Sequence, residues 1–279
     1  MKTIHMIDNY RILCEEAECI GNFEAYKSYT EKYPYFFQGV FQYLYCQPME
    51  NLRALIERMD FKSLLQVAEK NYELGIVEYV QTCINEFIER FQIDFNFTFL
   101  LGLELSNIGG CATPCDTDEP MLYIGIDRPL DKEWVAYFIP HEVYHMLRHH
   151  VTQDSAPETV FSRTIEEGLA SYAPLWAYNL AWNVTNVAKT LGISEKQADI
   201  LMKNTGVLLD KLILDGAKQI SPEAMKEYFT AQSFEVEFPV IGYYIGLYLA
   251  HQSVEKGVNF ERFVSMSRNE IIDMWFHNN

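Results

Sequence analysis

Along most of the chain, apolar residues recur every three or four positions, the spacing that gathers them on one face of an α-helix. In the first ninety residues Leu52, Leu55, Ile56 and Met59 follow this pattern, then Leu64, Leu65 and Ala68. The strongest stretch runs from about Gly75 to Phe91, where Ile76, Val77, Val80, Cys83, Ile84, Phe87, Ile88 and Phe91 form one stripe. Tyr33-Pro34-Tyr35 and Gln47-Pro48 mark breaks between helices, because proline lacks the N–H a helix interior needs.

The period then changes. Phe91, Ile93, Phe95, Phe97, Phe99, Leu101, Leu103 and Leu105 alternate with mostly polar neighbours, and a period of two predicts a β-strand with one buried face. A turn-rich loop, Asn107 to Pro120, leads to a second predicted strand, Met121 to Asp127. Gly125 within it would let another backbone approach closely. From Asp131 onward the pattern is helical again. The predicted fold class is therefore α+β, mainly helical with a small sheet next to the helix that carries the chemistry. Two regions are expected: a helical N-terminal region over residues 1–92 and a second domain over 93–279 that begins with the strands.

Composition narrows the class. The chain has 279 residues, 49% hydrophobic and 22% charged, too apolar for a disordered segment. Its formal net charge of −17 repels phosphate backbones, and the densest basic stretch, Arg148-His149-His150, holds one full charge, so nucleic acid is not an expected partner. The longest apolar stretch, Val240 to Ala250, is interrupted by two glycines and is too short for a membrane span. Residues 1–13 do not read as a signal peptide. A cytoplasmic protein is expected, with Cys14, Cys19, Cys46, Cys83, Cys111 and Cys115 as reduced thiols. Cys111 and Cys115 have ligand spacing but no second Cys/His pair to close a tetrahedral site.

The chemistry is concentrated in His141-Glu142-Val143-Tyr144-His145, an HExxH motif. Residues four apart share a helix face, so both imidazoles can reach one metal ion. Glu142 sits about 100° round the helix, where it can take a proton from a water held by that ion without being a ligand. Chance alone yields roughly 0.02 such matches in a chain of this composition. Pro140 disfavours helical geometry at Ile139, so the helix either begins near Pro140 or is joined there to a preceding turn. A catalytic metal needs a third protein ligand and one open position. Glu166-Glu167-Gly168-Leu169-Ala170, on a helix predicted from Val160 to Trp182, offers two candidates. His149 continues the histidine face but lies a further ~6 Å along the axis.

The order of strands, glycine-containing strand and HExxH helix resembles the zincin metallopeptidases, and the following glutamate helix resembles the gluzincins among them. The chain looks most like a set of uncharacterised bacterial proteins described as predicted zinc-dependent proteases. These share HExxHxxR (here His141 to Arg148), EGLA (Glu167 to Ala170) and a later GYxxG (Gly242 to Gly246). The resemblance spans roughly residues 95–251 and implies zinc held by His141, His145 and Glu167, with Glu142 as general base. The family pattern prefers Glu167 over Glu166, and Ser171, four residues on from Glu167, is placed to support a ligand histidine. The GYxxG motif implies Tyr243 as the donor to the oxyanion, with Tyr244 second and His251 a weaker candidate. Arg148 could pair with an acidic residue near the site or simply end its helix favourably, and the latter, structural role is the one expected.

The expected function is zinc-dependent hydrolysis of peptide bonds in a peptide or protein substrate, with the Met121 to Asp127 strand pairing with extended substrate backbone. The alternative is a non-hydrolytic zinc-binding or protein-interaction module retaining the same scaffold. An intact Glu142 speaks against it, since a structural site needs no base.

Overall fold

The computed structural model describes residues 2–45, 47–93, 95–105, 109–114, 120–152, 158–230 and 238–277. The chain separates into two compact units, Met1–Val135 and Ala136–Asn279.

The first unit contains the sheet. Its strands are Lys2–His5 (β1), Thr98–Gly102 (β2), Gly110–Pro114 (β3) and Pro120–Gly125 (β4). They lie in the order β1-β2-β4-β3. β1 and β4 run parallel to β2, and β3 returns antiparallel beside β4. Parallel neighbours need a long crossover. Between β1 and β2 the chain supplies it with helices Ile7–Ile20 (α1), Asn22–Thr30 (α2), Pro34–Gly39 (α3), Arg53–Ile56 (α4), Phe61–Glu73 (α5) and Ile76–Phe91 (α6). Asp60 caps α5 by accepting from the Ser63 N–H at 3.1 Å. The stripe read from the sequence forms α6, with Val77, Val80, Ile84 and Phe87 buried.

The strands differ from expectation in five ways. β1 and β3 fall in segments where the sequence suggested a helix and a loop. The alternating run beginning at Phe91 contains a strand of only five residues, because Phe91 closes α6 and β2 starts at Thr98. β2 and β4 are buried at every position, as strands covered on both faces are, so they read as continuous apolar runs. β4 is hydrogen-bonded on both sides, to β2 and β3, and so cannot accept a substrate strand. Gly125 makes room for a side chain rather than a backbone: a Cβ there would stand 2.4 Å from Glu104 Cβ.

Polar contacts fix the strand ends. Asp127 Oδ1 accepts from the Glu104 N–H at 2.9 Å, and Glu104 Oε2 accepts from the Gly109 N–H at 3.1 Å. The Tyr29 hydroxyl accepts from the Leu103 N–H at 2.9 Å, while Tyr45 and Tyr123 donate to the Glu104 and Leu103 carbonyls. These phenols are buried, which pushes their pKa values upward.

The second unit is helical. The division falls inside Lys132–Thr152 (α7), and Val160–Ala177 (α8), Val184–Leu191 (α9), Glu195–Lys203 (α10), Thr205–Asp215 (α11), Pro222–Phe229 (α12), Ile241–Glu255 (α13) and Arg268–Ile272 (α14) follow. The division expected at residue 92/93 is therefore displaced, because β1 ties the N-terminal helices to the rest of the sheet. α7 runs without interruption through Pro140, so neither a helix start nor a turn occurs there. α8 opens with a capping box between Thr159 and Ser162 and ends at Ala177, short of Trp182. Among the described residues no helix is long and apolar enough to cross a membrane. Cys14 and Cys83 are buried, Cys111 half-buried and Cys19 exposed, all as free thiols; Cys46 and Cys115 lie outside the described residues.

Candidate metal centre

Two helices bring the site together. α7 carries His141 and His145 one turn apart, and α8 carries Glu167. The two Nε2 atoms face each other at 3.1 Å, with the rings 4.8 Å apart and nearly perpendicular. Glu167 Oε2 lies 3.6 Å from His141 Nε2 and 3.3 Å from His145 Nε2. Three donor atoms thus converge from largely buried side chains, and this His141–His145–Glu167 group is able to hold a metal ion.

The competing glutamate is engaged elsewhere. Glu166 receives a two-pronged contact from Arg148, with Nε to Oε2 at 2.8 Å and Nη2 to Oε1 at 3.0 Å, and a further one from Arg268 at 3.3 Å. Arg148 is almost fully buried and also donates to the carbonyls of Phe263 and Met266. It thus pairs with an acidic residue beside the metal group instead of merely ending its helix, and it ties α7 to α8 and to the segment before α14. Adjacent residues on a helix point about 100° apart, which is why Glu166 and Glu167 meet different partners.

Charge distribution follows from this packing. Burial disfavours the ionised form of Glu167, but His145, hydrogen bonds from both histidines, and Arg163 outweigh it and hold the carboxyl well below its ordinary range. Burial likewise opposes a charged His145, and the Glu167 carboxylate, with Glu142 and Glu166, more than compensates and raises its pKa. Arg163, one turn before Glu167 on α8, places Nη2 3.4 Å from Glu167 Oε1 and Nη1 3.1 Å from Glu158 Oε2.

Glu142 is half-buried on α7 and electrostatically coupled to His145 and Tyr243. The Tyr243 ring lies 6.4 Å from that of His141, roughly parallel to it, and Phe229 packs edge-on against it at 5.9 Å. Burial, with the Glu167 carboxylate next, pushes the Tyr243 phenol well above its ordinary pKa. Tyr244 instead turns to the Thr205 hydroxyl. His251 stacks flat on Trp182 at 4.3 Å and stands outside the metal-binding group, and His149 is exposed.

Two features of the sequence pattern are packing rather than chemistry. Gly168 and Gly246 mark the crossing of α8 and α13: a Cβ on Gly168 would stand 2.2 Å from Gly246 Cα. Gly242 accommodates the Phe229 ring, which would lie 2.2 Å from a Cβ there. The support expected from Ser171 is absent, because its buried hydroxyl finds no partner among the described residues. Sequence reasoning passed over Arg163, although its spacing of four from Glu167 already places both on one helix face.

Compared with known proteins, the chain matches no family model, no curated protein and no solved structure.

Proposed function

We propose that this chain is a zinc-dependent peptidase in which His141, His145 and Glu167 hold the ion, Glu142 moves the proton and Tyr243 steadies charge on the substrate carbonyl. The observation that carries this reading is the triangle of donor atoms. Zinc bonds of about 2.0–2.1 Å in tetrahedral coordination place neighbouring donors about 3.3–3.4 Å apart. The edges of the triangle are 3.1, 3.3 and 3.6 Å and bracket that spacing. Two imidazoles and one carboxylate are also the donor set of catalytic zinc sites, which leave the fourth position open. Bound there, the ion supplies Lewis acidity, so that water ionises near neutral pH and a carbonyl is polarised.

The chain's own residues do the rest. Glu142, about 100° round α7 from His141, takes the proton of the attacking water and delivers it to the leaving amine. Tyr243 carries its phenol proton at neutral pH, as a tyrosine of ordinary pKa does. It therefore serves as a hydrogen-bond donor to the carbonyl oxygen as negative charge builds there. A formal charge of −17 favours cationic peptides at the encounter step.

The test uses zinc-reconstituted protein and a mixed peptide library read by mass spectrometry. Wild type should bind one equivalent of zinc and cleave, and a chelator should stop cleavage. Glu142→Gln should keep the metal and slow turnover by on the order of 10²–10⁴. Zinc bound without cleavage by the wild type would turn the reading to a non-hydrolytic zinc protein, and binding below a tenth of an equivalent would end it.

A further inference from the structure

We propose that Arg163 is a positioning residue for the metal group: it takes Oε1 of Glu167, so that a single oxygen, Oε2, faces the two histidines. The inference rests on the reading of this group as a zinc site. The two carboxylate oxygens face different sides, and the Tyr243 hydroxyl donates to the same group. Oε2 lies 3.3 and 3.6 Å from the imidazole nitrogens, and Oε1 lies 3.4 Å from Arg163 Nη2. A glutamate carboxylate left to itself rotates about a broad terminal torsion and can offer both oxygens to one ion. An arginine on one oxygen removes that freedom.

Arg163 is itself held in place. Its Nη1 reaches Glu158 Oε2 at 3.1 Å, and its guanidinium carbon sits 5.5 Å from the centroid of the Phe229 ring. The same ring packs against Tyr243 and fits over Gly242. Phe229 thus backs both the arginine and the tyrosine. A planar guanidinium can contact two carboxylates at fixed angles, whereas a lysine ammonium is a mobile point charge.

The experiment compares wild type, Arg163→Met and Arg163→Lys for zinc affinity, by chelator competition, and for the visible spectrum of the cobalt(II)-loaded protein. Far-UV circular dichroism and melting temperature check folding. Losing a partner behind a metal ligand typically costs 10–100-fold in affinity, and Arg163→Met should show a loss of that order. Its cobalt spectrum should weaken as Glu167 binds through both oxygens and coordination rises. Arg163→Lys should recover affinity toward wild type but keep the altered spectrum. Should Arg163→Met fail to fold, Arg163→Lys carries the same spectral comparison. An unchanged cobalt spectrum in the folded variants overturns the proposal, whatever happens to melting temperature. A wild type that binds neither zinc nor cobalt overturns instead the zinc reading on which it rests.

Discussion

Each compact unit holds a pair of acidic side chains away from most of the solvent, Glu166 only in part, and the two pairs have different partners. In the first unit Asp127 and Glu104 accept from main-chain N–H groups. In the second unit Glu166 meets Arg148 and Arg268, and Glu167 meets two imidazoles and Arg163. A main-chain N–H is a fixed donor, and a carboxylate satisfied by it fastens one strand end to another. A neutral imidazole nitrogen can instead present a lone pair. Where two of them and a carboxylate converge, their electron pairs call for a shared proton or a cation. Both pairs are largely withdrawn from solvent; the two imidazoles that meet Glu167 are what set that group apart.

The first way to break this comparison is Arg148→Met, which leaves Glu166 with Arg268 alone. Removing one member of a buried ion pair costs about 3–5 kcal/mol, and denaturant unfolding should show a loss of this size. Zinc stoichiometry per folded molecule should not change. A stable variant that loses zinc would move Arg148 and Glu166 from the framework into the site. Next is Tyr243→Phe, which should lower kcat by on the order of 10²–10³ with metal content and KM nearly unchanged. Tyr244→Phe is its control, expected to cost stability of about 1 kcal/mol through the lost Thr205 contact and to leave turnover alone. A large kinetic effect at Tyr244 alone would reassign the donor. The smallest effect is expected in the first unit, where Asp127→Ala leaves the Glu104 N–H without its acceptor. That should cost about 1–3 kcal/mol in chemical denaturation. Zinc titration should give the wild-type stoichiometry, and a changed stoichiometry would erase the distinction between the pairs.

The site was more legible in the sequence than the sheet, for a physical reason. His141, Glu142 and His145 lie within one and a half turns of a helix, so spacing alone places them. Glu167 and Tyr243 come from other helices, and only resemblance to a motif pointed to them. Arg163 was legible from its spacing to Glu167, but arginines four residues from glutamates are frequent on helices, and nothing local singles this one out. The sheet depends on pairings between distant segments. β1 is four residues, Lys2–His5, whose alternation is too short to register, and its partner β2 begins at Thr98. β3 begins at Gly110 and ends at Pro114, residues that read as a turn. Only its register with β4, Gly110 opposite Ile124 and Pro114 opposite Pro120, makes it a strand.

Neither glycine at the crossing of α8 and α13 has room for a Cβ, so the two backbones touch there, close to Glu167 and Tyr243. Glu167 adjoins Gly168, and Tyr243 stands three residues before Gly246, about 4.5 Å along its axis at 1.5 Å per residue. Rocking one helix by 10° about this point would carry the Tyr243 backbone roughly 0.8 Å, from the same rise per residue. The same tilt moves the far end of α13, at Glu255, about 2.4 Å. A tilt about this contact would therefore reach the tyrosine reduced about threefold, and the spacing between α8 and Tyr243 is what it would disturb least.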